Sequence, residues 1–186
     1  MSTYGRIVGT AIIVAMAAAA LLRPHPVMAA SAAEINRDAD AALKTLYDSE
    51  PVAKDLAAKA KGILVFPSII KAGFIVGGHY GEGVLRKGDK AVGYYNTVAA
   101  SYGLQAGAQT FGYALMFMDD ASLKYLDESH GWEVGAGPSI VIVDQGIAKS
   151  LTTTTVQKGV YAFFFAQKGL MAGLGLQGSK ISKINK

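Results

Sequence analysis

Apolar positions along the chain repeat with one period before Gly62 and with another after it. Ile35, Ala39, Ala42, Leu43, Leu46 and Tyr47 recur at three- and four-residue spacing, with Arg37, Asp38, Lys44 and Asp48 on the other faces. That spacing predicts an amphipathic helix of about four turns. Ser31, with Glu34 three positions on, has capping-box spacing and starts the helix. A second stripe, Val52, Leu56 and Ala60, follows Ser49 as a cap and Pro51 in the first turn. Lys54, Lys59 and Lys61 form its basic side, and Gly62 is a stop signal. Both helices are expected to dock on a sheet, with lying on a membrane as the alternative.

From Gly62 the pattern is that of strands. Gly62 to Phe66 is a short apolar run stopped by Pro67, and Phe74 to Tyr80 is a second candidate. Val84 to Arg86 and Ala91 to Tyr95 flank a hairpin turn, Lys87-Gly88-Asp89-Lys90, which sets Arg86, Lys87 and Lys90 close together. Val98 to Gln109 reads as strand with a bend. Phe111, Tyr113, Leu115 and Phe117 alternate with Gly112, Ala114, Met116 and Met118, large residues on one face and smaller or flexible ones on the other. Asp119-Asp120 caps a short helix through Glu128. Trp132 to Val143 resumes strand, kinked at Gly135, Gly137 and Pro138, with Ile140 to Val143 as a buried run. Thr152 to Val156 has strong β-propensity. Val160 to Ala166 puts Tyr161, Phe163 and Phe165 opposite Phe164, as expected of a central strand covered on both faces. Two helices followed by many strands give the α+β class.

Twenty of the 22 glycines lie at or beyond Gly62, threaded through these strands. Glycine there marks bulges, tight bends or close backbone approach. The expected core is therefore a strongly curved, glycine-rich, mainly antiparallel sheet or barrel-like body with the N-terminal helices packed on it.

Residues 1–29 read as a signal peptide: Arg6, then 16 uncharged residues from Ile7 to Leu22, then Val27-Met28-Ala29 before a cut. A cut after Ala32 and a retained anchor are the alternatives. Residues 30–186 form one domain, expected in the periplasm, on the envelope or secreted. The chain has no cysteine, which excludes disulfides, thiolate metal sites and a lipoprotein anchor. The leader holds two of the 18 basic residues and none of the 14 acidic ones, leaving a charge near +2. After Asp144 come six lysines and no acid. Such a tail favours anionic surfaces or simply solubilises the domain.

No catalytic constellation meets the criteria of role and geometry, and no enzymatic activity or cofactor is expected. Gly173, Gly175 and Gly178 have dinucleotide-loop spacing, but neither a long helix nor an acid follows. His79 and His130 are far apart and no metal site is expected. Nucleic acid is not an expected partner.

Lys61-Gly-Ile-Leu-Val-Phe-Pro67, the glycine-rich stretch from Phe74 to Leu85, Gly103-Leu-Gln-Ala-Gly107 and the ending from Tyr161 to Gly178 resemble the SYLF domain. The resemblance covers Ala33 to Lys186. It implies a compact α+β module that binds anionic phospholipids through basic side chains and an N-terminal amphipathic helix, in exported bacterial proteins and eukaryotic actin-patch proteins. Lys54, Lys59, Lys61, Lys71, Arg86, Lys87, Lys149 and Lys158 are the candidate lipid contacts, with phosphatidylglycerol, cardiolipin or phosphoinositide-like head groups as ligands. An envelope protein-interaction module with no specific lipid site is the alternative. The sequence does not fix the oligomeric state.

Overall fold

The computed structural model describes residues 29–74, 76–102, 107–129, 131–143, 159–169 and 178–186. Among the described residues, three helices, α1 (Ala32–Ser49), α2 (Pro51–Ala57) and α3 (Asp120–Glu128), accompany eight strands: β1 (Gly62–Phe74), β2 (Val76–Lys87), β3 (Lys90–Tyr102), β4 (Gly107–Phe117), β5 (Trp132–Glu133), β6 (Ile140–Val143), β7 (Val160–Gly169) and β8 (Lys180–Ile184). The strands form one sheet in the order β5-β8-β3-β2-β1-β4-β7-β6. Its pairings are antiparallel except β6 with β7. This is the expected α+β fold with a mainly antiparallel sheet.

The chain itself requires the sheet to curl. β5 and β6 lie at opposite edges, yet seven residue steps join Glu133 to Ile140. Seven steps span at most about 25 Å. Eight flat strands at about 4.8 Å would hold their edges roughly 34 Å apart. The body is accordingly a half-barrel, with one core on each face of the sheet. Phe66, Tyr95, Phe111, Tyr113, Phe117 and Trp132 fill the inner core with Leu123 and Leu126 of α3. The outer core joins Ile35, Ala39, Leu43 and Leu46 of α1 and Leu56 of α2 to Val65, Val84, Met116, Tyr161, Phe163 and Phe165. The size alternation along β4 thus sorts its large residues inward and Ala114 and Met116 under the helices, and β7 is covered on both faces as expected.

Helix starts are local and match their signals. The Ser31 hydroxyl accepts from the Glu34 amide while the Glu34 carboxylate accepts from the Ser31 amide, at 3.2 and 2.8 Å. These bonds to Ser31 hold the Glu34 carboxyl below its ordinary range. The second helix differs. Its N-cap is Glu50, and Ser49 remains in α1, its hydroxyl donating back to the Thr45 and Leu46 carbonyls. α2 ends at Ala57, so Lys59 and Lys61 lie on its exit, and Gly62 opens β1 instead of closing a helix.

Four strand expectations are corrected. Val98 to Gln109 is not one strand with a bend: it takes in the end of β3 at Tyr102 and the start of β4 at Gly107, which are separated in the sheet by β2 and β1. β1 runs through Pro67, because one extra residue is absorbed as a bulge on both flanks, between Val65 and Ser68 towards β2 and between Phe66 and Ile69 towards β4. The stretch from Phe74 to Tyr80 is not one strand: β1 ends at Phe74, which pairs with Val76 at the start of β2. Glycines on both arms, Gly73 facing Gly77, disguised that reversal by lacking polar turn residues. Ile140 to Val143 is an edge strand with only Val143 buried, and Gly135 and Gly137, both at positive φ, separate it from Trp132–Glu133. Thr152 to Val156 lies outside the described residues.

Between β4 and β7, Thr110 faces Lys168 and Gly112 faces Phe165, so β7 carries one extra residue. Ala166 supplies it at φ 52°, a left-handed conformation that strains an L-residue. Ala166→Gly is therefore expected to raise stability by about 1 kcal/mol, read as a higher urea midpoint with an unchanged slope.

Candidate binding surfaces

Arg86 anchors one end of the molecule. Its guanidinium reaches from β2 to α1, where Nη1 donates to the Asp40 carboxylate and Nη2 to the Asn36 carbonyl at 3.1 Å. The Arg86 side chain is only 12% exposed. It is thus a strut between sheet and helix. Beside it a cavity of about 620 Å³ opens between α1, α2 and the β2–β3 turn, lined by Asp40, Lys44, Tyr47, Lys54, Ile63 and Asp89 among others. Burial holds the Tyr47 hydroxyl above its ordinary pKa.

Several lysines gather around this end. Lys87 and Lys90 face each other across the Gly88-Asp89 turn. The Lys61 amide donates to the Phe117 carbonyl at 2.7 Å, and because Ile63 pairs with Arg86, Lys61 sits beside the same turn. Lys54 lines the cavity and Lys59 is exposed on the exit of α2. Among the described residues, Lys54, Lys59, Lys61, Lys87 and Lys90 form no ion pair, whereas Lys44 is held by Asp48 at 2.6 Å. Lys71 is not part of this group. It lies eight residues further along β1 than Ile63, roughly 25 Å away, and its neighbours in the sheet are His79 and Gln109. Lys149 and Lys158 lie outside the described residues.

His79 and Ser179 form a buried pair, Nε2 to Oγ at 3.3 Å, and the ring stands edge-on to Phe111 at 6.3 Å. Ser179 is fully buried and, among the described residues, no carboxylate bonds to His79. The pair is placed to pack. Burial, and next the Lys71 ammonium, hold the imidazole below its ordinary pKa of 6.5. Below that pH the unfolded chain takes up a proton that the folded chain resists, so stability falls as pH drops from 6.5 towards the depressed folded value. His79→Asn is expected to flatten this slope, read from urea midpoints between neutral and mildly acidic pH.

The Asp119 carboxylate accepts from the Ser122 amide at 2.8 Å and the Gly159 amide at 2.6 Å. The Ser122 bond, foremost, holds it below its ordinary range. It is a helix cap that also pins the start of β7. No three potential metal ligands cluster among the described residues. Residues 173–177 of the glycine-rich ending lie outside them, and Gly178 is followed by a strand, not a helix.

One arrangement escaped the sequence reading. Lys186 Nζ donates to Glu82 Oε2 and to the Ala30 carbonyl, both at 2.8 Å, with both charged side chains largely buried. Burial alone would raise the Glu82 carboxyl, but bonds from Lys186 and from the Tyr80 hydroxyl keep it below its ordinary range. The same setting, burial first, lifts the Tyr80 hydroxyl to about 12. No spacing rule connects positions so distant.

Residues 98–186 match the family model Ysc84, described as Las17-binding protein actin regulator. Over these residues the chain matches the SYLF family. The match runs from within β3 through β8 and so takes in most of the inner core, all of β4, β7 and α3 included. No curated protein matches the chain. SYLF domains are binding modules.

Proposed function

We propose that this SYLF domain binds anionic phospholipid surfaces, without catalysis, in the envelope to which its leader delivers it. The observation that carries this reading is the set of exposed lysines at the helix–hairpin end that form no ion pair among the described residues. Lys54, Lys59, Lys61 and Lys87 extend from α2, its exit and the β2–β3 turn on a body held rigid by the Arg86–Asp40 bridge. Flexible ammonium groups on a fixed frame suit lipid phosphates, which offer charge without one required geometry. The α1 amphipathic face is used in the outer core, so basic side chains rather than that face meet the phosphates.

Co-sedimentation with vesicles tests the reading. The purified protein is expected to pellet with vesicles containing phosphatidylglycerol and not with phosphatidylcholine alone, with binding weakening as salt rises. Equal pelleting with both, or with neither, would overturn it and favour a protein partner in the envelope.

A further inference from the structure

The outer face of the sheet is only partly covered by α1 and α2. Beyond them, one cross-strand row is open to solvent. Ile70 on β1 faces Tyr80 on β2, which faces Val98 on β3, and these three are 61%, 48% and 44% exposed. Their side chains share the face of Val65, Val84 and Tyr94, which pack under the helices further along the same strands. The row continues through exposed Thr110 to Lys168 on one side, and on the other directly to Lys180 and then to Glu133 on edge strand β5. An aliphatic and aromatic centre therefore has a lysine at each side, with one acid beyond Lys180. The adjoining row is Ala108, Ala72, Gly78 and Ala100, so nothing tall stands beside it.

We propose that this row is a second membrane contact, in which Ile70, Tyr80 and Val98 enter the interfacial region of a bilayer while Lys168 and Lys180 engage lipid phosphates. The inference rests on the anionic-lipid reading above. Charge complementarity selects the occupant: apolar side chains flanked by cations match acyl chains bordered by phosphates, and a tyrosine with one polar end suits the boundary.

The absence of cysteine makes the test site-specific. Val98→Cys, labelled with an environment-sensitive fluorophore, is expected to show a blue shift and a severalfold rise in emission with phosphatidylglycerol vesicles. Ile142→Cys, equally exposed on edge strand β6, is expected to stay unchanged. Ile70→Ser with Val98→Ser should lower vesicle affinity about tenfold, with the fold kept because both side chains are already exposed. A silent label at position 98 on protein that still pellets would overturn this face alone, marking it for a protein or for nothing. Failure to pellet with any anionic vesicle would overturn both this contact and the lipid reading.

Discussion

Alanine at Gly83 is expected to lower stability by about 3 kcal/mol, a change large enough to read directly as a shifted urea midpoint. Gly83 sits on β2 facing the inner core. A Cβ there would run into the Val65 carbonyl oxygen on β1 and into the Phe66 ring, whose Cγ would be 3.0 Å away. Neither can yield. The carbonyl belongs to a strand locked between β2 and β4, and Phe66 is fully buried against Tyr113 with ring centroids 4.8 Å apart. The same substitution at Gly88 is a control. That residue has φ +59° and nothing within 4 Å, so alanine there costs only about 1 kcal/mol of backbone strain. A large loss at Gly83 and a small one at Gly88 would show that the first glycine makes the curl and the second makes a turn. Equal small losses would mean that the strands can part, and the close-approach account of Gly83 would fail.

Those two glycines also mark what the sequence could and could not convey. Where a signal is local, it was legible. Ser31 with Glu34, Asp119 before its helix, the Gly88-Asp89 turn, and the size alternation from Phe111 to Phe117 each depend on residues a few positions apart, and each appears where its spacing put it. The density of glycines rightly indicated curvature. Boundaries failed where two neighbouring strands share the same composition. The reversal between Phe74 and Val76 has no polar punctuation, and Pro67 looked like an end because its bulge is set by partner strands that the local pattern does not reveal. For the candidate site the limit was sharper. Charge and hairpin position brought Arg86 and Lys87 together correctly. They did not reveal that Arg86 spends its guanidinium on Asp40 and Asn36 of a helix some fifty residues earlier. Lys71 was grouped by charge with residues that the strand length carries to the other end of the sheet.

Reversing Lys54, Lys59 and Lys61 together to glutamate is expected to lower affinity for phosphatidylglycerol vesicles more than a hundredfold at low salt. Each cation near an anionic surface contributes about 1 kcal/mol, so losing three removes about 3 kcal/mol before any repulsion from the new carboxylates. The difference from wild type should shrink as salt rises, because the Debye length falls to about 8 Å at physiological ionic strength. All three side chains are exposed and form no ion pair among the described residues, so the fold should persist with an unchanged thermal midpoint. Arg86 is left out deliberately. Its removal would strand Asp40 and loosen α1 from the sheet, so weaker binding would report unfolding as readily as a lost contact. The triple variant also separates the two surfaces, since the Ile70–Tyr80–Val98 row lies at the far end of the same strands. Wild-type affinity in a folded triple variant would remove the helix–hairpin end from membrane binding. A label at position 98 that still responded in that variant would then leave the sheet face as the membrane contact.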